Sequence, residues 1–191
     1  MTEKKGESWW KLENWPRATT WCGVAAAQER RDFWIWEDFL NEFEVKLLIE
    51  LGSYRGGFSL FLLCQCLNRG IEFFTVDIHY PEAASGPLGN ILRLTYHYRE
   101  ENVLRGSKWL LDTIGASENH PLLIYCDNGD KPEEFRMYTP ALKSGDFIVV
   151  HDWNAEIDES HVRWDIGSRL ETLYEERCNA ERSLTRFFRK L

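Results

Sequence analysis

The chain alternates short, mostly apolar runs with longer amphipathic ones. Residues 45–49 (Val-Lys-Leu-Leu-Ile) are mostly β-branched or aliphatic, and too short a run for a helix. Residues 71–77, 123–127 and 147–152 repeat the pattern, and each ends on an acid: Asp77, Asp127 and Asp152. Between these predicted strands the period lengthens. Phe33, Trp36, Leu40 and Phe43 share one face of a helix over 32–43. Residues 59–67 form an apolar helical stretch, residues 90–100 read as a helix, and 109–114 as a short one. Asp130-Lys131-Pro132-Glu133 is a helix start, with an N-cap acid, a first-turn proline and Glu three residues on. That helix is predicted to run to Leu142, with Gly145 closing it. Residues 153–168 read as a polar loop or short helix lining a site, and 170–176 and 183–191 as final strands. Strands alternating with helices imply a mainly parallel sheet with right-handed crossovers.

The connection after the first of these strands carries the most information. Glu50-Leu51-Gly52-Ser53-Tyr54-Arg55-Gly56-Gly57 is a glycine-rich strand-to-helix turn. Its glycines let the backbone turn sharply and approach a ligand. In an open α/β sheet, ligands bind outside the carboxyl ends of strands at such turns. Asp77 lies 27 residues after Glu50 at the tip of the next strand, placed to accept hydrogen bonds from ribose hydroxyls. The turn lacks the complete G-x-G-x-x-G pattern and the Lys-Ser/Thr pair of a P-loop, which favours a nucleoside ligand without a pyrophosphate.

Residues 50–59, Glu-Leu-Gly-Ser-Tyr-Arg-Gly-Gly-Phe-Ser, resemble the first motif of class I S-adenosylmethionine-dependent methyltransferases. The likeness is closest to catechol-type metal-dependent O-methyltransferases and to the cephalosporin-hydroxylase-like family. Residues 103–107 resemble the third strand and its adenine-contacting turn, 123–131 the fourth strand with the first metal-binding acid, and 147–153 the fifth with the second metal position. The resemblance implies a three-layer, doubly wound, mainly parallel seven-stranded sheet (a Rossmann-like methyltransferase fold), complete or trimmed at its C-terminal end; only 39 residues follow Asp152, which leaves little room for a separate acceptor domain. It divides the chain into a Trp-rich extension, 1–31, and a donor-binding domain, 32–191. It implies that Glu50, Gly52, Tyr54, Gly56, Asp77, Ile78, Gly106 and Ser107 surround S-adenosylmethionine, with His79 beside the adenine. It further implies a divalent metal at Asp127, His151 and Asp152, completed by Asn154 or water, and Lys131 as a general base acting with Asp127. Many relatives carry a carboxylate where His151 stands. Imidazole suits manganese, iron, nickel or zinc better than magnesium, so the metal's identity stays open. A lysine beside a divalent cation has its pKa lowered, as a base at neutral pH requires.

Composition narrows the partners. A net charge of −8 argues against a nucleic-acid surface, and no run approaches a membrane span. The N-terminus has no signal-peptide core, which predicts a cytoplasmic protein acting on a small molecule. The five cysteines form no CxxC pair, so no structural zinc site is expected. Trp9, Trp10, Trp15, Trp21, Trp34 and Trp36 all precede residue 37. They read as a seal on the core, with a substrate lid or a homodimer contact as the other readings. Two alternatives to methyl transfer stay open. One is an iron oxygenase using His151 and Asp152 with His161 or His79. The other is a nucleoside-binding module without catalysis.

Overall fold

The structure, a computed structural model, describes residues 19–79 and 97–191. Its first element is a hairpin, β1 (Thr19–Trp21) and β2 (Val24–Ala26), followed by α1 (Arg30–Glu42), β3 (Leu47–Leu51), α2 (Gly57–Arg69) and β4 (Glu72–Asp77). After the undescribed segment come β5 (His97–Glu100), α3 (Lys108–Gly115), β6 (Leu122–Cys126), α4 (Lys131–Tyr138) and β7 (Phe147–Val150). The chain closes with α5 (Glu159–Val162), β8 (Leu170–Leu173), α6 (Glu175–Ala180) and β9 (Arg186–Lys190).

The main sheet has seven strands in the order β5-β4-β3-β6-β7-β9-β8. All neighbours pair in parallel except β9, which runs antiparallel to both β7 and β8. Strands β8 and β9 complete the seven, so of the two forms the sequence left open the sheet takes the untrimmed one. The central strands β3, β6 and β7 are buried at every position. That is why their sequences read as continuous apolar runs rather than alternating ones. Successive side chains feed two separate cores. Leu48, Tyr125, Val149 and Phe187 pack against α1, α2 and α6, whereas Leu47, Ile49, Ile124, Ile148 and Phe188 pack against α3, α4 and α5.

Several boundaries depart from the pattern. Residues 97–100, expected within a helix, pair with β4 in the register Asp77↔Glu100. Residues 103–105, expected as the third strand, form a single 3-10 turn just after it. Helix α4 stops at Tyr138 rather than Leu142 because Pro140 has no N–H to continue the helical hydrogen bonds, and a 3-10 turn follows. The strand expected over 170–176 ends at Leu173, where Tyr174 takes a positive φ and α6 begins.

The hairpin was not foreseen at all. A Cβ on Gly57 would lie 2.5 Å from the Val24 carbonyl oxygen, so β2 rests directly on the start of α2. Trp21 stacks on Phe33 at 5.6 Å and meets Phe61 at 5.2 Å, sealing the core edge. Trp36 is completely buried, and Trp34 is exposed. Trp9, Trp10 and Trp15 lie outside the described residues. Among the described residues, no helix is long and apolar enough to cross a membrane.

Candidate active site at the carboxyl edge of the sheet

From β3 the chain winds outward through β4 to β5, then crosses to β6 and β7 on the other side. This order reversal opens a crevice beyond the carboxyl ends of β3 and β6. A cleft of about 270 Å³ lies there, lined by Gly52, Tyr54 and Asp77 on one side and by Asp127, Lys131, His151, Asp152 and Glu156 on the other. Gly52 has φ +100°, and a Cβ on it would lie 2.7 Å from the Asp127 carbonyl carbon and 2.8 Å from the Asn128 nitrogen. Its bareness therefore lets the turn after β3 touch the turn after β6, more than it clears room for a ligand.

On the β4 side, both oxygens of Asp77 are in use. Oδ2 accepts from the backbone N–H of Ser53 (2.8 Å) and Tyr54 (3.0 Å), and Oδ1 from that of His79 (3.2 Å). Asp77 thus holds the glycine turn while facing the cleft. Glu50, expected at the donor, instead lies buried beneath the turn. Its Oε2 accepts from the hydroxyls of Ser59 and Thr75, the latter at 2.6 Å, and burial raises its pKa to about 8. Gly56 takes φ +88° as the cap of α2. Gly106 and Ser107 do not line the cleft: Gly106 is a φ +79° turn, and the buried Ser107 hydroxyl caps α3 by accepting from Leu110 N–H at 3.0 Å. Ile78 is exposed just past Asp77.

On the other side, Asp127, His151 and Asp152 come together as the sequence implied, with one potential ligand atom from each lying within 4.8 Å of the others. His151 Nδ1 is 3.1 Å from Asp127 Oδ1 and 3.4 Å from Asp152 Oδ1. The ring is buried, and neither nitrogen is aligned in a hydrogen bond. Asp152 points into the cleft from a left-handed backbone, φ +55°, a conformation that non-glycine residues adopt rarely. Two oxygen donors and an otherwise unsatisfied buried imidazole fit a divalent cation of the manganese, iron or zinc type. Asn154 does not line the cleft; Glu156, two residues on, does.

Lys131 differs most from expectation. Its Nζ lies 2.7 Å from Asp152, 2.8 Å from Glu156 and 4.0 Å from Asp127. Burial opposes its charge, but these carboxylates outweigh burial and hold its pKa above the ordinary lysine value. The net effect of the protein's own groups is thus to raise it, and the lowering expected from the sequence needs the like charge of a bound cation. Burial likewise opposes charge on His151, and Asp127 followed by Asp152 raises its pKa well above the usual range. Sequence reasoning missed two contributors. Glu156 sat unnamed in the polar 153–168 segment, and Gln28, buried and donating to Asp127 Oδ2, gave no signal. The oxygenase reading finds no second histidine among the described residues, since His161 is exposed and pairs with Asp158 at 2.9 Å.

No protein-family signature matches the chain. It is 30% identical over 147 residues to the rhamnosyl O-methyltransferase of Mycobacterium leprae, an alignment covering 71% of this chain and 61% of that protein. The chain therefore spans less than two thirds of that relative's length. Among solved structures, CmcI matches 100% of this chain and 88% of its own at 14% identity, with TM-scores of 0.69 for its apo form and 0.64 for the form with magnesium and S-adenosylmethionine. An S-adenosylmethionine-dependent O-methyltransferase from Thermotoga maritima matches 85% of this chain and 66% of its own at 13% identity, with a TM-score of 0.55. With its antiparallel penultimate strand in an otherwise parallel seven-stranded sheet, the chain has the fold of the class I S-adenosylmethionine-dependent methyltransferases.

Proposed function

We propose that this chain is a metal-assisted, S-adenosylmethionine-dependent O-methyltransferase acting on a small molecule. The observation that carries the reading is the convergence of Asp127, His151 and Asp152 beside the Gly52–Asp77 turn. The fold and the Mycobacterium leprae relative support it, and that relative favours a sugar hydroxyl as the acceptor. Asp77 and the turn over Gly52 to Tyr54 bind the donor, which supplies an electrophilic methyl group. Asp127, His151 and Asp152 would hold the divalent cation, whose chemistry is to polarise acceptor oxygens and lower the pKa of a hydroxyl. Little covalent help is needed from the protein, because placing the reacting atoms in line supplies most of the rate. Lys131 is paired with both Asp152 and Glu156. In this reading it orients those carboxylates rather than accepting the acceptor's proton.

Titration calorimetry with S-adenosylmethionine, with and without Mn²⁺ or Mg²⁺, tests the reading. Asp77→Ala should weaken donor binding by about 1–3 kcal/mol, the size of a lost hydrogen bond to a charged group. An unchanged affinity in that variant removes Asp77 from the donor site, and no binding by the parent chain removes the function.

A further inference from the structure

Asp127 does not stand alone in the cleft. One of its oxygens, Oδ1, faces His151 at 3.1 Å and Lys131 at 4.0 Å. The other, Oδ2, faces away and accepts a hydrogen bond from the side-chain amide of Gln28. An ionised carboxylate only accepts, so the contact fixes the amide's orientation, with Nε2 towards Asp127. The same Nε2 lies 3.4 Å from the Tyr125 hydroxyl. Gln28 is 2% exposed, and the Tyr125 ring is fixed by Trp36 at 4.8 Å and Phe58 at 5.6 Å. Gln28 leaves a short segment clamped at both ends: β2 abuts Gly57 behind it, and α1 begins at Arg30 ahead of it.

We infer that Gln28 is a positioning residue for the metal centre: its amide holds Asp127 so that only Oδ1 is presented to the cation. The inference rests on the metal-assisted reading above. The physical case is one of rotation. A carboxylate at a strand end turns about its last bond and is free to offer either oxygen or both. Tying Oδ2 to a rigid buried amide leaves a single, pre-aimed ligand atom. Partners of this kind commonly change metal affinity by about 10–100-fold when removed. The hairpin segment ahead of α1 is thereby part of the site, not a cover over it.

The test uses the full chain and Mn²⁺ as the probe, with affinity read by calorimetry and coordination by electron paramagnetic resonance. Gln28→Met keeps the length and removes the amide. It should weaken Mn²⁺ binding about 10–100-fold and change the resonance of the bound ion, while S-adenosylmethionine binding without metal is retained. Gln28→Asn keeps the amide but withdraws it by one methylene, and should show the same loss; it decides the matter if the methionine variant does not fold. In an Asp127→Asn background, Gln28→Met should cause no further loss, whereas a general structural effect would add. Wild-type Mn²⁺ affinity in a folded Gln28 variant overturns the inference, as does an additive loss in the Asp127→Asn background. Absence of Mn²⁺ binding by the parent chain overturns the metal reading itself, a distinguishable outcome.

Discussion

Gly52 is confined by both its φ of +100° and the Asp127–Asn128 backbone against its α-carbon. No side-chain repacking relieves a clash with main chain. Gly52→Ala should therefore cost more than about 2 kcal/mol, combining left-handed strain with a forced separation of the two turns. Urea denaturation of the variant checks this, and a cost below about 0.5 kcal/mol would show that the turns separate freely. Glu50 makes a prediction of opposite kind. With its folded pKa raised to about 8 from 4.5, the native protein keeps a proton that the unfolded chain has released across that window. Stability should accordingly fall as pH rises from 4.5 to 8, at up to about 1.4 kcal/mol per pH unit from this group, and level off above. Glu50→Gln mimics the protonated form, so it should be the more stable protein at pH 8.5 and nearly equal at pH 4.5. Equal denaturation midpoints at both pH values would show that Glu50 ionises without penalty.

At the scale of elements, an aromatic layer packs between α1 and the sheet. Trp36 is completely buried and touches Phe58, Tyr125 and Phe187 at 5.9, 4.8 and 5.3 Å between ring centres. Trp36→Ala should cost about 3–5 kcal/mol, read by thermal or urea unfolding. The sequence made this helix legible because its apolar residues recur at helical spacing, and made β3, β6 and β7 legible because strands buried on both faces are continuously apolar. Strand β5 was hidden because its His-Tyr-Arg-Glu sequence has no apolar run; pairing with β4 at the sheet edge defines it, and pairing is not local. The site divides in the same way. Asp77, Asp127, His151 and Asp152 could be placed beside the cleft because each ends or follows an apolar run. Glu50 and Ser107, expected at the donor, are buried and bonded within the protein, because an acid at a strand end and a serine at a helix start read alike whether they face ligand or core. Gln28 was invisible because its partner lies 99 residues away.

Across the whole molecule, the crevice joins two halves with separate chemistry. Asp77 and the Gly52 turn belong to the β3–β4 half, and Asp127, His151, Asp152 and Glu156 to the β6–β7 half. A ligand that binds only the folded chain stabilises it by mass action, about 2.7 kcal/mol at one hundred times its Kd. For 191 residues that corresponds to a rise in Tm of roughly 5–11 °C. If donor and metal bind opposite halves, as proposed, each should give its own increment. Asp77→Ala should then lose the increment from S-adenosylmethionine and keep that from Mn²⁺, while Asp152→Asn should do the reverse. The second substitution also leaves Lys131 with Glu156 as its nearest carboxylate, so the loss of metal does not strand a buried ammonium. Differential scanning calorimetry of the two variants with each ligand gives the four values needed. If either substitution removes both increments, the two halves do not act as separate subsites, and the division of labour across the crevice is wrong.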